Sequence, residues 1–407
     1  MNCRTVRKIL EENAYVHISG SEEELRCARY LQDVCAKMGL EARLEPFPIK
    51  KYTENVARLT VDGREIPCKG YFGASVGTVR APLYYLTGTD PVSLRNCKGK
   101  IVLCDNPVGY KLHDMLTEHG ALGFITHVGN LYFNDHDIDR KELRFTREQE
   151  LFGVHIHVSD AVELVRRGAK MAEITVEQTV CEGSSHNLIL DFEGETDETV
   201  VISAHYDSTI LSTGVYDNMS GAVGLLYLAE RLMGIKRRRN VRLLWCGSEE
   251  RGLLGSMAYC EMHRDELPKT VLNINLDMLG SIMGEYVIFS CVNEEMTEYL
   301  KRFAARHRVC ASVRHAIRSS DSNTFVYYGV PAVSFARYAP TRTAMIHTRY
   351  DTMEVMSERR LLDDMKTVWQ FTELVTNAPK MPTSMEISKQ IREDTEKYMA
   401  RKLRYDQ

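Results

Sequence analysis

The 407-residue chain contains no uncharged apolar run of the ~18 residues that a membrane-spanning helix requires. Its opening stretch, MNCRTVRKILEENAYVHISG, lacks the apolar core of a secretory signal. The eleven cysteines form no C-x-x-C pair, and their odd number and scatter argue against a disulfide framework. No G-x-x-x-x-G-K-[ST] phosphate loop and no internal repeat occur. Neither sign of charge dominates. The 52 Lys plus Arg against 56 Asp plus Glu leave a formal net charge of −4, which counts against nucleic acid as the main partner. What remains is an ordinary globular composition, 44% hydrophobic and 27% charged. The length suits about two domains of ~100–200 residues. These features predict a cytoplasmic protein with reduced thiols, without membrane or nucleic-acid partners, and they specify no oligomeric state.

Residues 21–39 read as an amphipathic helix: Leu25, Ala28, Leu31, Val34, Cys35 and Met38 recur at helical spacing, with Ser21 as cap and Gly39 as stop. From about 57 to 182 the texture changes to short β-branched runs, among them LYYLTG, KGKIVLCD and ALGFITHV. A helix is expected over 113–121 and a polar, exposed excursion over 128–150. After about 185 strands and helices alternate. TVVISA, NVRLLWC, VLNINL, YVIFSC and VPAVSF read as strands, with helices near 220–234, 252–263, 294–308 and 357–377. That alternation predicts an α/β fold, a mainly parallel sheet with helices on both faces. Cys246 and Cys291, inside apolar runs, read as core residues. The charged segment from 384 reads as a solvated helix or frayed end.

Five segments following strands carry acids or histidines, where open α/β sheets place their sites. They supply His205 and Asp207, Asp217, the pair Glu249 and Glu250, Asp277, and His347. Imidazole and carboxylate together suit a metal better than a nucleophilic triad. Two histidines and three acids can serve two ions if one carboxylate bridges them, leaving one member of the Glu–Glu pair as general base. Neighbouring residues leaving a strand point apart, so Glu249 and Glu250 are not equivalent ligands of one ion. Residues i and i+2 of a strand share a face, which lets Asp207 accept from the second ring nitrogen of His205.

In order, the chain reads His205-Tyr206-Asp207, Asp217-Asn218-Met219-Ser220-Gly221, Glu249-Glu250-Arg251-Gly252-Leu253-Leu254-Gly255-Ser256, Asn275-Leu276-Asp277-Met278-Leu279-Gly280 and His347-Thr348-Arg349-Tyr350-Asp351-Thr352. This ordered set resembles the co-catalytic M28 metallopeptidases, which include aminopeptidases and glutamate carboxypeptidases. The resemblance implies a zinc-exopeptidase-like fold and two Zn²⁺ ions, with Co²⁺ or Mn²⁺ also admissible. It implies that Asp217 bridges the ions, that His205 and Asp277 complete one site, and that Glu250 and His347 complete the other. Glu249 is then the general base, with Asp207 as its catalytic companion behind His205. The stretch KGKIVLCDNP through FGVHIHVSDAVELVRRG resembles an inserted protease-associated (PA) domain. The resulting division is 1–56 with 183–380 as peptidase domain, 57–182 as insert, and 381–407 as charged C-terminal helix or tail.

Some relatives carry a Tyr where this chain has Ile346, so the oxyanion contact is expected from the metal alone or from another donor such as Tyr350, Tyr338 or a backbone amide. Asp321, in a Ser319-Ser320-Asp321-Ser322 stretch resembling S-D-H, is a candidate substrate contact, as are Arg337 and Arg342 before His347. His155 and His157 alternate on a strand without a suitably spaced acid and read, like His127, His136 and His186, as non-ligands. The 237–239 arginine run complements a preceding helix end. The expected activity is aminopeptidase action on short peptides. A carboxypeptidase or amide hydrolase on the same scaffold, and a non-catalytic homologue, are the rival readings.

Overall fold

A computed structural model describes residues 1–105, 108–132, 151–341 and 343–403, without the side chains at 52–55, 110 and 401–403. Two compact units emerge: Met1–Ile49 with Gly183–Arg401, and Lys50–Glu182. His136, Arg342 and residues 133–150 of the expected excursion lie outside the described residues.

In the first unit, helix α1 (Cys3–Glu12) starts at Asn2, whose Oδ1 accepts from the Thr5 amide at 3.0 Å. Its inner face carries Val6, Ile9 and Leu10, the i, i+3, i+4 spacing of an amphipathic helix that sequence reading passed over. Helix α2 (Glu22–Lys37) begins where expected, with Ser21 accepting from the Glu24 amide, and buries Cys27, Ala28, Leu31 and Cys35. The sheet of this unit comprises β1 (Met171–Phe192, which begins in the second unit), β2 (Thr196–His205), β3 (Arg239–Cys246), β4 (Thr270–Leu276), β5 (Glu285–Cys291), β6 (Ser312–His315) and β7 (Ala332–Tyr338). Their order is β6-β5-β7-β4-β2-β3-β1. The run β7-β4-β2-β3 is parallel, as is β5 with β6; β1 and the β5–β7 pairing are antiparallel. The mainly parallel expectation holds.

Both faces of the parallel strands are covered, and β2 shows the two-residue period directly. Val200, Ile202 and Ala204 join the large core with α1, α2, α3 (Ser220–Leu232) and α7 (Glu358–Asn377). Val201 faces the opposite core, shared with α4 (Leu254–Met262) and α6 (Ser322–Tyr327). A polar seam crosses the centre of the sheet. Ser203 Oγ donates to Asn275 Oδ1 (2.9 Å), Asn273 Nδ2 donates to Ser203 Oγ (2.9 Å), and Asn275 Nδ2 donates to Ser320 Oγ (2.9 Å). Ser203 and Asn275 each lie two residues before a candidate ligand, His205 and Asp277.

The arginine run does more than complement one helix end. Arg237 donates to the Leu232 carbonyl at the end of α3, as expected. Arg239 is buried and donates to Val375 and Ala378 carbonyls (2.9 and 2.7 Å) at the end of α7 while pairing with Glu198 (2.8 Å).

The second unit is a smaller sheet that uses the first part of β1, followed in spatial order by Gly77–Leu86, Ile101–Cys104, Gly123–Val128, Phe152–His157 and Cys68–Gly70. Helices Tyr110–Glu118 and Val158–Arg166 accompany it. His155 is buried, with Nδ1 2.6 Å from Thr126 Oγ1, and His157 caps the helix after it. Neither joins a potential metal cluster among the described residues.

The C-terminal helix is present, but it is not solvated as expected. The charged C-terminal segment forms a helix, α8 (Lys389–Leu403), whose Ile391 and Met399 are fully buried. Ile387 and Ile391 pack with Val287, Phe289, Cys291, Val326 and Ala332. Its charges mask a sparse buried stripe spaced by four, Ile387, Ile391, Thr395 and Met399, three of whose four members are apolar. Ile391→Ala should therefore cost about 2–4 kcal/mol of unfolding free energy in urea denaturation, against the ~0.5 kcal/mol or less expected of a solvated tail.

Candidate metal centre

The carboxyl ends of β2, β3 and β4 lie side by side, with Cys246 paired to His205 and Asn275 to Ser203. This register brings the candidate residues within reach of one another. His205 closes β2, buried, with Nε2 3.2 Å from Asp217 Oδ1 and 3.8 Å from Asp277 Oδ1. Its Nδ1 lies 3.4 Å from Asp207 Oδ1 and 3.3 Å from the Asp207 carbonyl. The Asp207 carboxylate has a larger task than the expected one. It accepts from the backbone amides of Glu249 (2.9 Å) and Glu250 (3.2 Å) and from the Ser19 hydroxyl (2.9 Å).

Asp217 sits in a tight turn, Val215–Met219, before α3, with a cis peptide bond to Asn218. The rest of its D-N-x-S-G segment ties that turn to the end of β4. Asn218 donates to the Leu276 carbonyl (2.9 Å) and accepts from the Met278 amide (3.0 Å), and Ser220 Oγ accepts from the Leu279 amide (2.9 Å). A side chain at Gly221 would come within 2.6 Å of the Leu276 carbonyl, so only glycine allows this approach. The two oxygens of Asp217 face different imidazoles: Oδ1 meets His205, and Oδ2 lies 3.2 Å from His347 Nε2. The same His347 nitrogen is 3.2 Å from Glu250 Oε1.

Glu249 and Glu250 follow β3 through Ser248, whose φ of 54° is left-handed. Gly255 lets α4 start against that strand end, since a Cβ there would lie 2.2 Å from the Gly247 carbonyl. His347 itself takes φ 61° in its loop, a strained conformation of the kind found at functional sites.

Three groups of ligand atoms result: His205, Asp217 and Asp277; Asp217, Glu250 and His347; and His205, Glu249 and Glu250. Within each group the atoms lie within 4.8 Å of one another. Nitrogen–oxygen separations of 3.2 Å match what a tetrahedral ion imposes, since metal–ligand distances near 2.0–2.2 Å place ligands roughly 3.4 Å apart. Asp277 Oδ1 is buried and accepts no hydrogen bond among the described residues, as a metal ligand would be. The donor set therefore fits zinc.

Charge tells the same story. Burial pushes Asp277 up to about 8, against the pull of His205. Burial and the charges of Glu250, Asp321 and Asp277 hold Glu249 well above the usual carboxylate range, again against His205. His347 goes the other way: burial opposes its charge, but hydrogen bonds to Asp217 and Glu250 lift it to about 11. Asp217, despite burial, is pulled below the ordinary range by the two imidazoles.

The substrate candidates separate. Asp321 is buried beneath the site, its Oδ1 without a partner among the described residues, and its charge is felt at Glu249 and Asp277. Tyr338 lies under the Arg318 guanidinium, 5.0 Å from its ring centroid. Tyr350 is half-buried near Arg349, its amide donating to Thr348 Oγ1 (3.2 Å). Arg337 is a correction. Its guanidinium pairs with buried Asp364 (2.6 Å) and donates to the Gly284 carbonyl (2.9 Å), so it supports the core rather than facing a substrate. Sequence reading also missed Asp351, which accepts from the amides of Tyr216 (2.8 Å) and Asp217 (3.1 Å). Burial lifts its carboxyl to about 7. The final Asp of the H-T-x-x-D-T segment was its signal, but nothing in the spacing linked it to Asp217.

These shifts fix a sign. Carboxyls held high in the fold lose stabilising free energy as pH rises from about 4 to about 8, and the histidine held high by its partners loses it from about 6.5 upward. Protein stripped of metal by chelation should melt progressively lower across that range. Zinc-loaded protein should show a much flatter profile, and calorimetry at several pH values reads the difference.

Comparison with known proteins gives a family for the stretch that contains these residues. Residues 187–372 match the model of peptidase family M28. Aminopeptidase Y of Saccharomyces cerevisiae is 32% identical over 162 residues, 37% of this chain and 30% of the relative. Aminopeptidase YwaD of Bacillus subtilis is 39% identical over 85 residues, 21% of this chain and 19% of the relative. The chain thus spans less than a third of the length of these curated relatives. A solved zinc aminopeptidase from B. subtilis shares the fold at TM-score 0.79 and 22% identity, covering 96% of this chain and 98% of that one. An aminopeptidase from Aneurinibacillus does so at TM-score 0.74 and 22% identity, over 95% and 96%. The motif-bearing segments from His205 to His347 all fall inside the matched region, and the chain carries a peptidase family M28 domain over residues 187–372.

Proposed function

We propose that this protein is a zinc-dependent aminopeptidase acting on short peptides. The observation that carries the reading is the sharing of Asp217 between two histidine–carboxylate clusters, with Glu249 beside them. In this reading His205, Asp217 and Asp277 hold one ion, Asp217, Glu250 and His347 the other. Cobalt or manganese suits the same donors. Bound zinc supplies Lewis-acid polarisation of a carbonyl and lowers the pKa of water.

Glu249 takes a proton from the attacking water at its carboxylate and returns it to the leaving amine. Half-buried beside His205 and Glu250, its carboxylate lies within reach of that exchange. Asp207, through the two amides it accepts, orients the Glu249–Glu250 turn. Asp351 does the same for Asp217. The substrate amine is placed near Glu249 and Asp277, with Asp321 behind them. Tyr338 and Tyr350 remain the oxyanion candidates in place of Ile346.

The carboxypeptidase alternative needs a cation for the substrate carboxylate, and the commitment of Arg337 to Asp364 disfavours it. The names of the relatives also favour aminopeptidase action. The insert is read as a PA-like domain. No helix among the described residues is long and apolar enough to cross a membrane. Eleven free cysteines, seven of them buried, support a reducing, cytoplasmic setting.

Steady-state kinetics on aminoacyl-nitroanilides and on N-blocked dipeptides tests the assignment: turnover of the former alone is expected, and cleavage of only blocked substrates would refute it. Glu249→Gln should keep its zinc and lose about 10²–10⁴-fold in kcat. Asp217→Ala should lose both ions by metal analysis, because each cluster draws on it.

A further inference from the structure

Among buried acids outside the ligand clusters, Glu24 stands out. It lies on α2, only 1% exposed, 224 residues before the segment it holds. Oε1 accepts from the Ser248 amide (2.9 Å), the Ser248 hydroxyl (3.2 Å) and the Ser185 hydroxyl (2.9 Å). Oε2 accepts from the Gly20 amide (2.6 Å). Three separate stretches of chain thus converge on one carboxylate. A buried acid is costly without such donors. A core that needed only filling would have an apolar side chain here.

The position of Ser248 gives these bonds their meaning. It is the left-handed residue, φ 54°, at which the chain leaves β3 and turns toward Glu249. The next two amides, of Glu249 and Glu250, end on Asp207. Three consecutive amides are therefore held by two buried carboxylates. A side chain's direction follows from the peptide planes flanking its Cα. Glu250 has a second anchor in His347, 3.2 Å away. Among the described residues no hydrogen bond or ion pair is made by the Glu249 carboxylate, so its direction rests on the backbone.

We propose that Glu24 is a positioning residue, which fixes the left-handed turn at Ser248 and so sets the direction of Glu249. This rests on the peptidase reading above, with Glu249 as base. Releasing the turn displaces the base without removing a ligand. Misplacement by about 1 Å costs up to ~10²-fold in rate. The expected signature is a fall in kcat with metal content and KM preserved.

Glu24→Gln tests this, because it keeps the volume but replaces one acceptor by a donor facing amide N–H groups. In zinc-loaded protein we expect unchanged zinc content, KM within about twofold, and kcat reduced about 10–100-fold. Hydrogen exchange at the Ser248 and Glu249 amides should quicken about tenfold or more. Ser248→Ala removes the hydroxyl bond alone and should give the same pattern at about 2–10-fold; it decides the matter if Glu24→Gln does not fold. Unchanged kcat with unchanged exchange overturns the proposal, as does a loss of zinc in proportion to the loss of kcat. A zinc-loaded wild type inactive on every peptide substrate would instead refute the peptidase reading. The exchange measurement would then still decide whether Glu24 holds the turn.

Discussion

Mutual repulsion among buried carboxylates is the constraint around which the first unit is arranged. Glu24, Asp207, Asp217, Asp277, Asp321 and Asp351 are all buried, and Glu249 and Glu250 lie half-buried at the same strand ends. Each uncompensated charge there costs several kcal/mol. The fold settles this debt in two distinct ways. Glu24, Asp207 and Asp351 collect backbone amides, which makes them fixed parts of the scaffold. Asp217 and Glu250 face imidazoles, and Asp277 keeps an oxygen without a donor. The second kind is poised for a cation. Sorting acids by what satisfies them thus separates framework from chemistry.

The framework extends into the sheet. The Ser203–Asn273–Asn275–Ser320 seam runs through otherwise apolar strands and locks β2 to β4 just below His205 and Asp277. Directional bonds hold a register more sharply than apolar contact alone, because a slip leaves buried donors unpaired. Gly221 and Gly255 add the converse condition, close backbone approach at the starts of α3 and α4.

Strand–helix alternation was legible in the sequence because the parallel strands are buried on both faces and read as apolar runs. The residues that cluster at the site were legible because each sits inside a recognisable short motif, at a strand end for His205, Glu249, Glu250 and Asp277 and in a turn or loop for Asp217 and His347. What escaped reading depended on partners distant in sequence. Asp351 and Glu24 look like ordinary acids until the chain folds them against Asp217 and Ser248. Arg337 looked like a free cation near His347, and its partner, Asp364, lies on the inner face of α7. The burial of α8 was hidden for a different reason: a single apolar residue per turn is outweighed, in any local average, by its charged neighbours.

The Glu24–Ser248 contact also bears on how the molecule is made. As the ribosome releases the chain from its amino end, α1 and α2 emerge long before the strands they cover, which lie beyond residue 183. The intervening Lys50–Glu182 unit carries its own cores and has its partners at hand early. The nascent chain must therefore keep two amphipathic helices waiting while a complete neighbour is synthesised between them and their sheet. Closing so long a loop is slow. The cluster can form only late in synthesis, after His347 has cleared the tunnel, which leaves the growing polypeptide without the complete cluster for most of its translation.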